Sequence, residues 1–182
     1  MKKKIIIAAL TISLLFSTPA RASEMRQNDA LVRAWSSMTY EQQATAGIEY
    51  KCAVTGYTTE EFELLSRTVE AESNRQFTEE GYRCRLYVAL TIINRINSEA
   101  FPNTITGVIS QCGQFSVYSS GAIYQVERTD FSDMAIIEAR QMIADGVAPN
   151  VLYFNCVGYN YPGYCVPFDC IGGNYFMTVE EV

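Results

Sequence analysis

Leu64-Leu65-Ser66-Arg67-Thr68-Val69-Glu70-Ala71-Glu72-Ser73 decides how this chain is read. The stretch has helical periodicity, and Thr58 and Glu61 ahead of it match a capping box, in which each side chain satisfies a free backbone N–H at the helix start. The helix is expected to run to Ser73 or Asn74. At about 100° per residue, Glu72 falls roughly 20° from Leu65 and close to Val69, which places a carboxylate on the apolar face. Glu70 projects to nearly the opposite side by the same count. A carboxyl held against apolar neighbours loses hydration, and its pKa rises towards the range where it donates a proton near neutrality. Glu72 is therefore kept either for chemistry or for an arginine partner.

Working outward, a second helix is expected from Gly81 or Tyr82 to about Asn97. It is apolar nearly all round, as a central helix must be. Asn94 and Arg95 interrupt it, either as a polar helix end or as a brace for loop carbonyls or a carboxylate. Thr104 caps a short helix, Ile105 to Ser110, and Gln111 to Ile123 reads as loop. Ser132 is expected to cap a periodic helix from Asp133 to Ala144, stopped by Gly146. Val151 to Asn155 and Asn174 to Thr178 read as strands able to pair antiparallel across a loop rich in Tyr, Pro, Gly and Cys. Before the first stretch, Glu24 to Gln43 suggests one or two short helices with Trp35 in the core, and Gly47 to Tyr57 reads as a connection. The fold class is α+β: one helix-rich domain with a small antiparallel β element.

The chain has 182 residues. Met1 to Ala22 has the form of an export signal: Lys2, Lys3 and Lys4, an apolar run too short for a comfortable span, then Ala20-Arg21-Ala22 before Ser23. Residues 23–57 are then an N-terminal helical segment and 58–182 the main domain. Cleavage leaves 160 residues, enough for one core. It also removes four of the 14 Lys and Arg and no acid, so 10 basic residues face 20 acidic ones, a formal charge of −10. That balance argues against a nucleic-acid partner, which wants clustered cations. No membrane span is expected after cleavage, and the chain is expected to act as an exported monomer.

Histidine is absent, which excludes Ser-His-Asp and Cys-His catalysis and every imidazole metal site. Lys51 is the only lysine outside the signal, so acid-base work falls first to carboxylates. Six cysteines, Cys52, Cys84, Cys112, Cys156, Cys165 and Cys170, suggest disulfides in an exported chain, with Cys84 packed in mid-helix as the alternative for that residue. No Cys-x-x-Cys occurs, and neither a metal nor a cofactor is expected.

Several spaced elements then line up: Leu64-Leu65-x-Arg67 to Ala71-Glu72, Val88-Ala89 to Ile93-Asn94-Arg95, Phe101-Pro102-Asn103-Thr104 with Gly107-Val108-Ile109, and Gln114-Phe115-Ser116. Leu152-Tyr153-Phe154-Asn155 and Ile171-Gly172-Gly173-Asn174-x-Phe176 follow in order. Together, over about Glu61 to Met177, they resemble the SleB/CwlJ-type cell wall hydrolases, the spore cortex-lytic enzyme family. The resemblance implies a helix-rich catalytic domain with a lysozyme-like cleft, acting on peptidoglycan glycan strands. It further implies lytic transglycosylation by a single glutamate in the position of Glu72. The chain departs from the family at Asn74-Arg75-Gln76, where Arg-Gly-Glu is usual, and at Asn174, where many members carry histidine.

Ordinary glycosidases need two carboxyl groups. Only Glu72 is expected to face inward; Glu79, Glu80 and Asp169 read as exposed. One carboxyl suffices if the substrate supplies its own nucleophile. Gln114, Ser116, Tyr153 and Asn174 are the candidate sugar contacts, with Phe154, Tyr159, Tyr161, Tyr164 and Tyr175 as further ring faces or as core. A water-using muramidase and a non-catalytic wall-binding protein on the same fold are the competing expectations.

Overall fold

The structure is a computed structural model that describes residues 30–73, 76–159 and 163–179. The expected export signal, Asn74-Arg75 and Tyr161 lie outside the described residues. The chain opens with a helix over residues 30–36 (α1), followed by α2 (Tyr40–Thr45) and α3 (Ile48–Thr55). Next come α4 (Thr59–Glu72), α5 (Glu79–Asn97), α6 (Ile105–Ile109) and α7 (Ser116–Ser119). A 3-10 turn at Ala122–Gln125 leads into α8 (Asp130–Ala144), and β1 (Tyr153–Asn155), β2 (Cys165–Ile171) and β3 (Asn174–Val179) close the described chain.

The α4 capping box forms as expected: the Thr58 hydroxyl accepts from the Glu61 N–H, and the Glu61 carboxylate accepts from the Thr58 N–H. Helix α5 starts two residues before Gly81, capped by Thr78, and buries Leu86, Val88, Ala89, Leu90, Ile92 and Ile93 at the centre of the molecule. Its most extensive helical partner is α8. That helix begins at Asp130, not Asp133. Thr129 is its cap and Ser132 the reciprocating third residue, because both hydroxyls can close the same box. The segment read as a connection, Gly47 to Tyr57, contains α3. The helix hid because its buried face carries Lys51 and Thr55 beside Cys52 and Val54, so no apolar stripe marks it. Trp35 and Val54 join the same core as α4, α5 and α8.

The three strands form one antiparallel sheet in the order β1-β3-β2. The expected pairing of the 151–155 and 174–178 segments is present, with Phe154 opposite Phe176. Strand β2 occupies part of the segment expected to be loop; it is an edge strand, mostly exposed, with an irregularity between Pro167 and Asp169. An edge tolerates Pro and lacks the apolar alternation that reveals a strand. Gly172 and Gly173 have φ of 61° and 85° and make the two-residue turn joining β2 to β3, which requires positive φ at both central positions in its tightest form. That turn sets Asn174 at the start of β3, against the helices.

The expected disulfides are not formed. Cys52 and Cys84 are buried on separate helices, Cys112 and Cys156 are exposed on loops, and Cys165 and Cys170 lie along one strand, with no bridge among them. No helix among the described residues is long and apolar enough to cross a membrane.

Candidate active site

Glu72 is the last residue of α4 and is half-buried. Its Oε1 accepts from the Val117 N–H at 3.4 Å. Val117 lies in the first turn of α7, where backbone N–H groups have no partner within the helix and are available to an acceptor. Burial pushes the Glu72 carboxyl pKa up from its ordinary value, and the Val117 hydrogen bond offsets part of that rise. The net direction favours the protonated acid.

Asn174 holds the backbone of the same residue. Its Nδ2 donates to the Glu72 carbonyl oxygen at 2.9 Å and lies 3.5 Å from Cys84 Sγ. A carbonyl in the last turn of a helix has no intrahelical donor, so this buried amide completes the end of α4. Ser116 is exposed beside Val117. The Gln114 side chain uses its Oε1 to accept from Arg95 Nη2 at 2.8 Å. Tyr153 is half-buried, with its ring edge-on to Phe101 and Tyr164 and the Arg95 guanidinium 5.2 Å from its centre. Partial burial, with the hydrogen bond to Tyr164, pushes its phenol up to about 12. Of the other rings, Phe154 packs on Phe115 and Phe176, while Tyr159 meets Tyr175 edge-on.

Asn94 and Arg95 prove to be a brace. Asn94 Nδ2 donates to the Pro149 and Val151 carbonyls, both at 3.0 Å, and Arg95 Nε donates to the Leu152 carbonyl at 2.7 Å. These bonds fix the approach to β1 on the end of α5.

Glu70 overturns the expectation that it projects away from the core. It is 3% exposed, more deeply buried than Glu72. Arg85 grips it with two bonds, Nη2 to Oε1 at 2.6 Å and Nε to Oε2 at 2.7 Å, and the Thr129 hydroxyl donates to Oε2 at 2.8 Å. Arg85 Nη1 also donates to the Gln76 and Gly81 carbonyls. Ser66, one helical turn before Glu70, donates to Asp133, which is paired with Lys51 and Arg128. Helix α4 therefore has a second buried face, and that face is polar. Ser and Glu four residues apart look identical to a solvated stripe in sequence; only the presence of Arg85 and Asp133 across the interface distinguishes the two.

Two of the other candidate acids have partners. Glu80 accepts from the Gly172 N–H at 3.0 Å, and exposed Asp169 pairs with Arg83 at 3.2 Å. A hollow of about 500 Å³ lies between the start of α5 and β2, lined by Gln76, Thr78, Glu79, Glu80, Arg83, Cys170 and Ile171. No group of three or more metal-ligating side chains occurs among the described residues.

Comparison with known proteins matches residues 79–163 to a family model described as Cell Wall Hydrolase. Two solved structures share the fold. One is the catalytic domain of germination-specific lytic transglycosylase SleB from Bacillus anthracis, 26% identical with a TM-score of 0.53, covering 68% of this chain and 98% of that one. The other is the catalytic domain of the Bacillus cereus SleB protein, 27% identical with a TM-score of 0.54, covering 68% of this chain and 93% of that one. Over these residues and in its fold, the chain is similar to the SleB/CwlJ-type cell wall hydrolases. Among full-length relatives, the spore cortex-lytic enzyme of Bacillus cereus is 36% identical over 69 residues, 38% of this chain and 25% of that protein. The corresponding enzyme of Oceanobacillus iheyensis is 32% identical over 84 residues, 46% of this chain and 29% of that protein. The matched part of this chain thus spans between a quarter and a third of those two curated relatives. The stretch matched by the family model begins after Glu72 and ends before Asn174, so the geometry around the carboxyl stands on the structure itself.

Proposed function

We propose that this protein cuts the glycan strands of peptidoglycan as a lytic transglycosylase, with Glu72 acting first as acid and then as base. The observation that carries this reading is a single half-buried carboxyl, biased towards its protonated form, touched by one backbone N–H. Among the other acids considered, Glu70 is paired with Arg85, Glu80 accepts from the Gly172 N–H and Asp169 is paired with Arg83, while Glu79 lines the hollow at the start of α5. A one-carboxyl site suits a reaction in which the substrate provides the nucleophile.

Glu72 protonates the oxygen that links C1 of N-acetylmuramic acid to N-acetylglucosamine. The C1–O bond breaks, leaving a positive sugar ring and an ionised Glu72. The muramic 6-hydroxyl then attacks C1 and returns its proton to Glu72. No water is consumed, and the new end is 1,6-anhydromuramyl. Ser116, exposed beside Val117, and Tyr153 are placed against the sugar, while Asn174 holds the Glu72 backbone. Export through the N-terminal signal would deliver the chain to the wall, and spore cortex peptidoglycan is the first substrate to test.

The test is digestion of purified peptidoglycan followed by mass spectrometry of the fragments. Muramyl ends one water lighter than reducing ends are expected. Reducing ends would replace this mechanism with a muramidase, and an absence of fragments would overturn the enzymatic reading. Glu72→Gln is expected to fold and to release no fragments; retained cleavage would remove Glu72 from the chemistry.

A further inference from the structure

We propose that Gln114 is a positioning residue that couples the buried guanidinium of Arg95 to the loop presenting the Val117 N–H to Glu72. The inference rests on the reading of Glu72 given above and adds to it a group that acts without touching the sugar. Arg95 is 2% exposed, and its surroundings leave it little freedom. Nε is held by the Leu152 carbonyl at 2.7 Å. The rings of Phe101, Tyr153 and Phe115 have their centres 4.9, 5.2 and 5.4 Å from the guanidinium carbon. A cation fixed in this way, on the central helix, is a rigid reference point.

The Gln114 Oε1 takes the Nη2 donor of that cation at 2.8 Å. Its backbone N–H donates to the Gln111 carbonyl at 3.1 Å, which closes the loop behind it. Phe115, next in the chain and 3% exposed, packs on the same guanidinium and caps α7. Two residues further on, Val117 meets the Glu72 carboxylate. The path from Arg95 to Glu72 therefore crosses one side-chain hydrogen bond, one buried ring and one short turn of backbone. The last bond is 3.4 Å long, at the outer edge of hydrogen-bond range, where a small displacement of the loop decides whether it exists.

Charge-assisted acceptance from Arg95 needs only an oxygen at the Gln114 position; binding the carbonyl of a sugar N-acetyl group through the amide needs its N–H donors. Gln114→Glu keeps the oxygen and loses the donors. Gln114→Met keeps the length and loses both. On peptidoglycan, Gln114→Met is expected to lower kcat by about 10–100-fold with KM nearly unchanged, as a misplaced catalytic group does, while Gln114→Glu stays within about threefold of the unsubstituted protein. Equal damage from both variants with a raised KM would assign Gln114 to the sugar and overturn the proposal, as would an unimpaired Gln114→Met. A second measurement needs no activity. The Val117 amide resonance is expected to shift on Glu72→Gln in the otherwise unsubstituted and Gln114→Glu backgrounds, and not in Gln114→Met. The same shift in all three would sink the coupling even if cleavage were established, and failure of the protein to cleave peptidoglycan would leave this readout standing. Gln114→Ala repeats both measurements if the methionine does not fit.

Discussion

Removing the Glu70 carboxylate tests the buried polar face of α4. In Glu70→Ala, Arg85 stays in the core with no exposed surface and loses two short bonds, and the Thr129 hydroxyl loses its acceptor. The Phe77 and Phe131 rings, each 5.8 Å from the guanidinium, cannot supply a counter-charge. Breaking one side of a buried ion pair costs about 3–5 kcal/mol, because the partner is left charged and desolvated. For a chain of this size each kcal/mol lowers the melting temperature by about 2–4 °C, so a fall on the order of 10 °C is expected. Glu70→Gln keeps one acceptor oxygen and should lose about 1.5–3 kcal/mol, the worth of a hydrogen bond to a charged group. The double replacement Glu70→Leu with Arg85→Met removes both charges and is expected to recover most of the loss, since apolar replacement of a buried pair is often neutral or better. Urea unfolding followed by circular dichroism measures all three. A loss below about 1 kcal/mol in Glu70→Ala would refute the argument, since a pair worth no more than a surface one carries no such penalty. Activity should fall with stability, because Arg85 also holds the Gln76 carbonyl and so brackets the segment that follows Glu72.

Burial raises the Glu72 pKa, so folding favours its protonated form relative to an ordinary hydrated carboxyl. Its stabilising contribution is present below the ordinary carboxylate pKa and is lost as pH rises through the folded value; Glu72→Gln should therefore be more stable than the unsubstituted protein at neutral pH and no more stable at about pH 3, as read by urea unfolding. Cleavage should weaken over the same rise in pH, while a rate that climbs with ionisation of Glu72 would exclude it as the acid. Asn174→Ala removes the amide on the Glu72 carbonyl and is expected to cost about 1–3 kcal/mol, with a loss of cleavage beyond that of an equally destabilised variant. Thr58→Ala supplies that control: it breaks the α4 capping box at the far end of the helix and should cost about 1 kcal/mol without changing specific activity. Because no bridge joins the cysteines, melting should be the same with and without reductant; a large drop on reduction would reveal a disulfide.

Local chemistry alone reached a good deal of this molecule. Thr58 with Glu61, and Thr104, announce helix starts through bonds made within three or four residues. The apolar circumference of α5 fixes it as the central helix before any partner is known. Glu72 stood out because one carboxylate on an apolar stripe is visible from spacing, and Asn94-Arg95 because two polar residues close such a helix. The polar interior was beyond reach. Glu70, Ser66, Lys51 and Asp133 are buried because their complements arrive from other parts of the chain. Helix α3 and strand β2 carry no clear sequence signal for related reasons, one burying a lysine and the other lying at an exposed edge.

The order of residues thus determined the helices with apolar faces, the paired strands and the carboxylate proposed as the proton donor. Tertiary structure decided what that residue touches, the Val117 amide at its carboxylate and Asn174 at its carbonyl, and it set the Arg95 guanidinium on Gln114 in the loop before Val117. Hydrophobic burial has no direction and can be read from pattern, whereas a hydrogen bond or ion pair needs a partner at a set distance and angle, and those partners meet only once the chain has folded.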